Sequence, residues 1–224
     1  MSNSWFLVLS ALLYAASVFG QSDPPPTTNA TSTNTSSSNA PEPITPRERA
    51  RWAIDNTVGP ASLAGGVVSA GWGTLFNTPR EYGTHWEGFG QRYGMRLTGI
   101  ATSNVMEAGL GALWGEDPRY VRASTEGFGG RLGHAMKMAF LAQNKDGHLM
   151  PAYARFAAIS GSNYLSNSWR ADSEATLSRA SVRVGLGFLG RIGGNIWEEF
   201  WPDVKQGLFH RSSQPDAASF TRPH

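Results

Sequence analysis

The chain has no cysteine among its 224 residues. That excludes a disulfide framework, thiolate metal sites and a cysteine nucleophile, so stability has to come from packing, from oligomerisation or from a surface. Charge of one sign is also lacking. Nineteen Lys and Arg face seventeen Asp and Glu, for a formal charge of +2. No dense basic run accompanies that balance, which argues against nucleic acid as a partner. There is no H-E-x-x-H and no pair of histidines at i,i+4, which argues against a zinc protease, and no G-x-S-x-G nucleophile elbow. No fixed-period repeat runs through the chain. From these gaps no cofactor and no metal are expected.

What is present begins with an apolar run, Trp5 to Phe19, of the length of a signal-peptide core. Val18 and Gly20 give small residues at −3 and −1 of a cleavage site before Gln21, although no Lys or Arg precedes the run. Residues 1–20 are therefore expected to be a signal peptide, and the protein exported, to the periplasm or the outer membrane. Residues 21–45, rich in Pro, Ser, Thr and Asn, carry too little apolar surface to fold and read as a disordered tether. Residues 46–211 are the right size for one domain, and residues 212–224 read as a loose tail.

Glycine and tryptophan stand out, at twenty-six and eight residues. A glycine inside a helix costs about 1 kcal/mol relative to alanine, so close helix approach is the expected return. Gly90/Gly94, Gly111/Gly115, Gly129/Gly133 and Gly190/Gly194 have the i,i+4 spacing of helix-packing notches. Thr45-Pro46 predicts a helix start, with the helix ending before Gly59-Pro60. The uncharged stretch 60–76 predicts a buried, loosely wound helix. Residues 89–120 hold the longest helix-compatible run, closed by Trp114-Gly-Glu-Asp-Pro-Arg-Tyr120. Helices are further predicted over 127–143, over 151–168 with a weak point at Ser160-Gly-Ser162, and over 173–200 up to Trp201-Pro202. The last is apolar on two sides, which suits the centre of a bundle or a membrane surface. The fold class expected is all-α: one domain of five or six glycine-rich, closely packed helices.

Candidate sites are few. Along the 89–120 helix, Arg96, Asn104 and Glu107 share one stripe at about 100° per residue, which predicts a buried polar network. A buried Glu107 needs a partner from another helix, with Arg131, Arg155 and Arg191 as the candidates. Three stretches, Trp114 to Asp117, Trp169 to Asp172 and Trp201 to Asp203, put a Trp and an Asp at a helix exit. Trp114, Asp117, Arg119, Trp169 and Trp201 are therefore the candidate binding residues. Gly185-Leu-Gly187-Phe-Leu-Gly190 spells a dinucleotide fingerprint, but no following strand ends in an acid about 20 residues on, so it reads as helix.

Gly115-Glu-Asp-Pro-Arg-Tyr120, followed by a Gly-x-x-Gly-Arg helix and closing on Glu199-Phe-Trp-Pro-Asp203, resembles a group of uncharacterised exported bacterial proteins. The resemblance spans about Trp72 to Arg211. It implies a bacterial envelope location and no particular activity.

Two functions are weighed from these residues. The first is a non-enzymatic cell-envelope protein that binds a membrane surface, a lipid or a partner protein through Trp-rich helix ends. The second is an envelope hydrolase using Glu107 or Asp117 with a neighbouring His, such as His134, or Arg. A convergent polar pocket would favour the enzyme, and exposed apolar helix faces would favour the binding module.

Overall fold

The computed structural model describes residues 43–124 and 127–209, and the signal, most of the tether and the tail expected above lie outside them. Among the described residues the chain is mostly helical. It forms α1 (Pro46–Val58), α2 (Pro60–Leu75), α3 (Trp86–Trp114), α4 (Phe128–Lys137), a hairpin of β1 (Leu141–Gln143) and β2 (Leu149–Pro151), α5 (Tyr153–Leu165) and α6 (Leu177–Phe209). These group into two compact units. Of the described residues, the first holds those up to Arg119 together with Phe140–Phe188, and the second those of Tyr120–Ala139 and from Leu189 to Phe209.

In the first unit, α1 starts where the sequence predicts. Thr45 caps it with a complete capping box: its hydroxyl accepts the Glu48 N–H, and the Glu48 carboxylate accepts the Thr45 N–H at 2.8 Å. Pro60 opens α2 as Pro46 opens α1, at a position whose N–H a helix does not use, but without a side-chain cap. α3, with 29 residues, is the axis against which α1, α2 and α5 pack. It ends at Gly115, whose φ of 75° is the left-handed conformation that glycine adopts without strain. An aromatic cluster of Phe140, Phe156 and Phe188 joins β1, α5 and the first part of α6.

Four expectations are corrected. The helix predicted over 127–143 stops at Lys137, and 141–143 pairs antiparallel with 149–151. The reason is local. The Asn144 side chain accepts the Asp146 and His148 N–H groups, and Gly147 takes a φ of 80°, which folds the chain back as a hairpin. Second, the final helix does not end at Trp201-Pro202 but runs through Pro202 to Phe209. Arg131 spans the proline: it bonds the Glu199 carboxylate and carbonyl on one side and Asp203 on the other. Those bonds hold the turn that the missing proline N–H weakens.

The third correction concerns glycine. A side chain at Gly90, Gly94, Gly129, Gly133, Gly190 or Gly194 would meet open space, so those spacings are not notches. The close approaches are elsewhere. A Cβ on Gly88 would lie 2.1 Å from the Tyr82 carbonyl oxygen, one on Gly66 2.7 Å from the Tyr93 ring, and one on Gly187 2.8 Å from Ile159. Fourth, α2 is not buried around its circumference. Its small residues Gly66 and Ala70 face inward, while Val68 and Leu75 are 72 % and 75 % exposed.

That inversion is general. Of the twelve buried apolar residues among those described, nine are alanines; the others are Met95, Met138 and Ile159. Large apolar side chains lie outside, including Trp72, Phe76, Trp86 and Leu113 in the first unit and Leu189, Trp197 and Val204 in the second.

In the second unit, α4 and the distal part of α6 enclose Ala135, whose carbonyl accepts a bond from the buried Asn195 amide at 3.0 Å. Phe128 packs against Phe200, and Trp197 stacks on Trp201 at 4.4 Å. No helix of the described residues is long and apolar enough to cross a membrane.

Candidate functional site

Among the described residues, α2 and the start of α3 in the first unit present an exposed apolar surface beside a groove. On a wheel of about 100° per residue, Gly66, Ala70 and Gly73 occupy one side of α2, and Ala61, Ala64, Val68, Trp72 and Leu75 the other. The glycine side meets α3 at close range. Tyr93 fills the space beside Gly66, and the Arg96 guanidinium comes within 3.2 Å of where a Cβ there would sit. The opposite side is exposed, with Trp72 at 66 % exposure. At its C-terminal end Trp72 packs against Phe76 at 4.6 Å. Across the following turn, Trp86 (83 % exposed) stacks on Phe89, which stacks on Tyr93.

Between these two aromatic groups lies an open groove of about 470 Å³, lined by Gly71, Thr74, Leu75, Thr84, His85, Trp86 and Phe89. Arg92 fixes the turn that forms one wall. Its Nε donates to the Thr78 carbonyl at 2.8 Å, Nη1 to the Gly83 carbonyl at 2.7 Å and Nη2 to the Pro79 carbonyl at 2.8 Å. Longer bonds reach Thr74 Oγ1 and Asn77 Oδ1. The guanidinium is buried, and every one of these acceptors is neutral. Arg96, half-buried, donates to the Ser62 carbonyl at 3.0 Å, and burial pulls its pKa below the usual arginine range.

The residues singled out from sequence are dispersed. Glu107 is 4 % exposed, and its Oε1 accepts from Arg155 Nε at 2.8 Å, so Arg155 is the partner among the three candidates. Arg155 also bonds the Leu141 carbonyl, which ties the hairpin to α3. Asn104 donates to Thr57 Oγ1 at 2.9 Å on α1. Arg96, Asn104 and Glu107 thus share a helix, but each bonds a different neighbouring segment. Asp117 holds Arg119 at 2.7 Å and accepts the Arg119 N–H, a clamp within one turn. Trp114 is exposed at the end of α3, and Trp169 is half-buried after α5. Trp201 lies inside α6 rather than at a helix exit.

Two buried acids were not singled out. Glu116 Oε2 accepts the Ala154 N–H at 3.0 Å near the start of α5; burial raises its pKa, opposed by that bond and by Arg155. Glu199, in the second unit, is 1 % exposed and accepts from Tyr120 Oη at 2.9 Å, from the Ala123 N–H at 3.2 Å and from Arg131 Nε at 2.7 Å. Burial pushes its carboxyl upward, but these donors outweigh that and hold it below the usual carboxylate range. Burial and the bond to Glu199 push the Tyr120 phenol up. His134 Nε2 bonds the Val121 carbonyl at 2.9 Å. The donors that meet Glu199 come from Tyr120, Ala123 and Arg131, and so tie the chain after α3 to α6.

The aromatic face was missed because an uncharged stretch was expected to be buried whole. The signal was in the wheel, which separates the glycines of 60–76 from its bulky residues. Comparison of the chain with protein-family models, with curated proteins and with solved structures gives no match.

Proposed function

We propose that the protein is a non-enzymatic binder of membrane surfaces, exported to the cell envelope. The observation that carries this reading is the inverted distribution of apolar side chains: alanines inside, with Trp72, Phe76, Leu75, Val68 and Trp86 outside. Leaving large apolar groups in water forgoes about 1.5–3 kcal/mol for each that could be fully buried, so a folded chain that does so has a use for the face. Small residues at helix contacts and bulky ones outside are also the pattern of helices packed in lipid. The exposed face lies along α2 and the start of α3 rather than at the Trp-Asp exits first considered.

The hydrolase reading has less support. Glu107 is locked against Arg155 in the interior, and Asp117 is committed to Arg119. Neither lines the groove.

The test is flotation of the full mature chain with phospholipid vesicles, alongside N-terminal sequencing of the protein recovered from a bacterial envelope fraction. Vesicle-bound protein beginning at or near Gln21 is the expected result. Protein that stays at the bottom of the gradient with every lipid, or a full-length cytoplasmic chain, contradicts the proposal.

A further inference from the structure

The structure carries one step more, which rests on the membrane-surface reading and names the face and the lipid. We infer that Val68, Trp72, Leu75, Phe76 and Trp86 seat together in the interface of a bilayer of zwitterionic phospholipid, with α2 lying on the bilayer and not through it. Charge is the first argument. α2 has no ionisable side chain in sixteen residues. The exposed charges bordering it are Arg80 and Glu81 in the turn and Glu87 at the start of α3, while Arg92 is buried and Arg96, half-buried, donates inward to the Ser62 carbonyl. A face with no exposed basic cluster has nothing to gain from an anionic surface, and it suits a headgroup layer without net charge.

The second argument is the treatment of the backbone. In contact with lipid every carbonyl needs a donor, because hydrocarbon supplies none. Within α2 the helix provides them. In the turn after it, the carbonyls of Thr78, Pro79 and Gly83 all accept from Arg92. The irregular segment next to the exposed aromatics thus has donors of its own, with the guanidinium buried beneath them.

Length and residue type complete the argument. Sixteen residues rise about 24 Å, short of a hydrocarbon core of about 30 Å, so α2 can lie on a bilayer but not span it. Tryptophan prefers the headgroup level, where its ring is in an apolar layer and its N–H in a wet one. Leu75 and Trp86 line the groove, which offers an acyl segment a place, and Trp72 precedes Leu75 by about one turn on the same side of α2.

The experiment is flotation of the full mature chain with vesicles of phosphatidylcholine alone, and with added phosphatidylglycerol, at low and high salt. Binding to phosphatidylcholine that changes less than about twofold with salt or anionic lipid is expected. The double variant Trp72→Asp/Phe76→Asp should lose at least about tenfold in partitioning, while Trp72→Phe retains most of it. Both substituted side chains are more than half exposed, so circular dichroism and the melting temperature should match the parent chain. Wild-type binding that needs anionic lipid or vanishes in high salt overturns the inference. So does a double variant that floats like wild type; in that case membrane binding stands and the face is wrong. If the wild type floats with no lipid, both the inference and the membrane-surface reading fail. If the double variant instead abolishes self-association of a chain that ignores vesicles, the occupant is a second copy, and the inference is again overturned.

Discussion

Glu107 in the first unit and Glu199 in the second are both carboxylates almost wholly out of water, each on an arginine at under 3 Å, yet they are held differently. The Arg155 side chain that meets Glu107 is itself 3 % exposed, whereas the Arg131 side chain that meets Glu199 is 24 % exposed and continues outward to Asp203. The first pair is sealed, so removing either partner strands a charge in a medium that cannot solvate it. The second is a relay from interior to surface, in which water can reach the outer member. Two carboxylates of similar burial thus differ in the burial of their partners, and the cost of breaking each pair is expected to follow the partner.

The largest effect should come from opening the sealed pair. Arg155→Ala is expected to destabilise the first unit by about 3–5 kcal/mol, read as a lowered denaturation midpoint. Glu107→Gln, which keeps shape and one acceptor, should cost less than Glu107→Ala. Equal losses for the two would show that the charge of Glu107 is not what Arg155 answers. Next comes the relay. Arg131→Ala removes several charge-assisted bonds but leaves Glu199 with Tyr120 and the Ala123 N–H, so a smaller loss than for Arg155→Ala is expected, concentrated in the second unit. Hydrogen exchange resolves which unit opens. Protection lost evenly over both would erase the distinction drawn above.

Acid sharpens the contrast further. The folded pKa of Glu199 is depressed, so near pH 4 the unfolded chain binds more protons than the folded one. Its contribution is fully present above the ordinary glutamate value of about 4.3 and is lost as pH falls through the lower folded value. The melting temperature of wild type should therefore fall on acidification below about pH 5, and Glu199→Gln should flatten that limb. An unchanged acid limb would mean that other carboxylates govern it.

The smallest effects compare two glycines two residues apart on α3. Gly88→Ala pushes a methyl against the Tyr82 and Gly83 carbonyls and should destabilise by about 1–3 kcal/mol. Gly90→Ala meets open space and should stabilise by about 0.5–1 kcal/mol through helix propensity. Opposite signs in thermal melts are expected; the same sign for both would show that glycine on this helix answers to propensity alone.

Spacing within an element was legible. Thr45-Pro46 placed a helix start, the stretch Trp114 to Asp117 a helix exit, and the stripe containing Glu107 marked a carboxylate in need of a partner. What spacing left open was which surface of each helix finds a neighbour. Gly129 and Gly133 have the same i,i+4 relation as Gly111 and Gly115, but only Gly111 of these meets a second chain segment within a helix, with Arg49 Nη1 2.9 Å from where its Cβ would be. Leu141-Ala-Gln143 is as compatible with helix as with strand, and the side-chain turn at Asn144 and the pairing with 149–151 decided for strand. Pro202 reads as a stop unless a side chain distant in sequence holds the helix on both sides of it, and Arg131 does so.

By itself, then, the sequence determined a helical chain without cysteine and its principal helix starts, because these depend on hydrogen bonds and dihedral preferences within a few residues. Only the tertiary structure decided that Arg155 and not Arg131 answers Glu107, that Glu199 closes the second unit, and that α2 turns its glycines inward and its tryptophan outward. The reason is physical. A helix offers all its faces equally to the solvent, and which one is buried is a property of the neighbour that covers it.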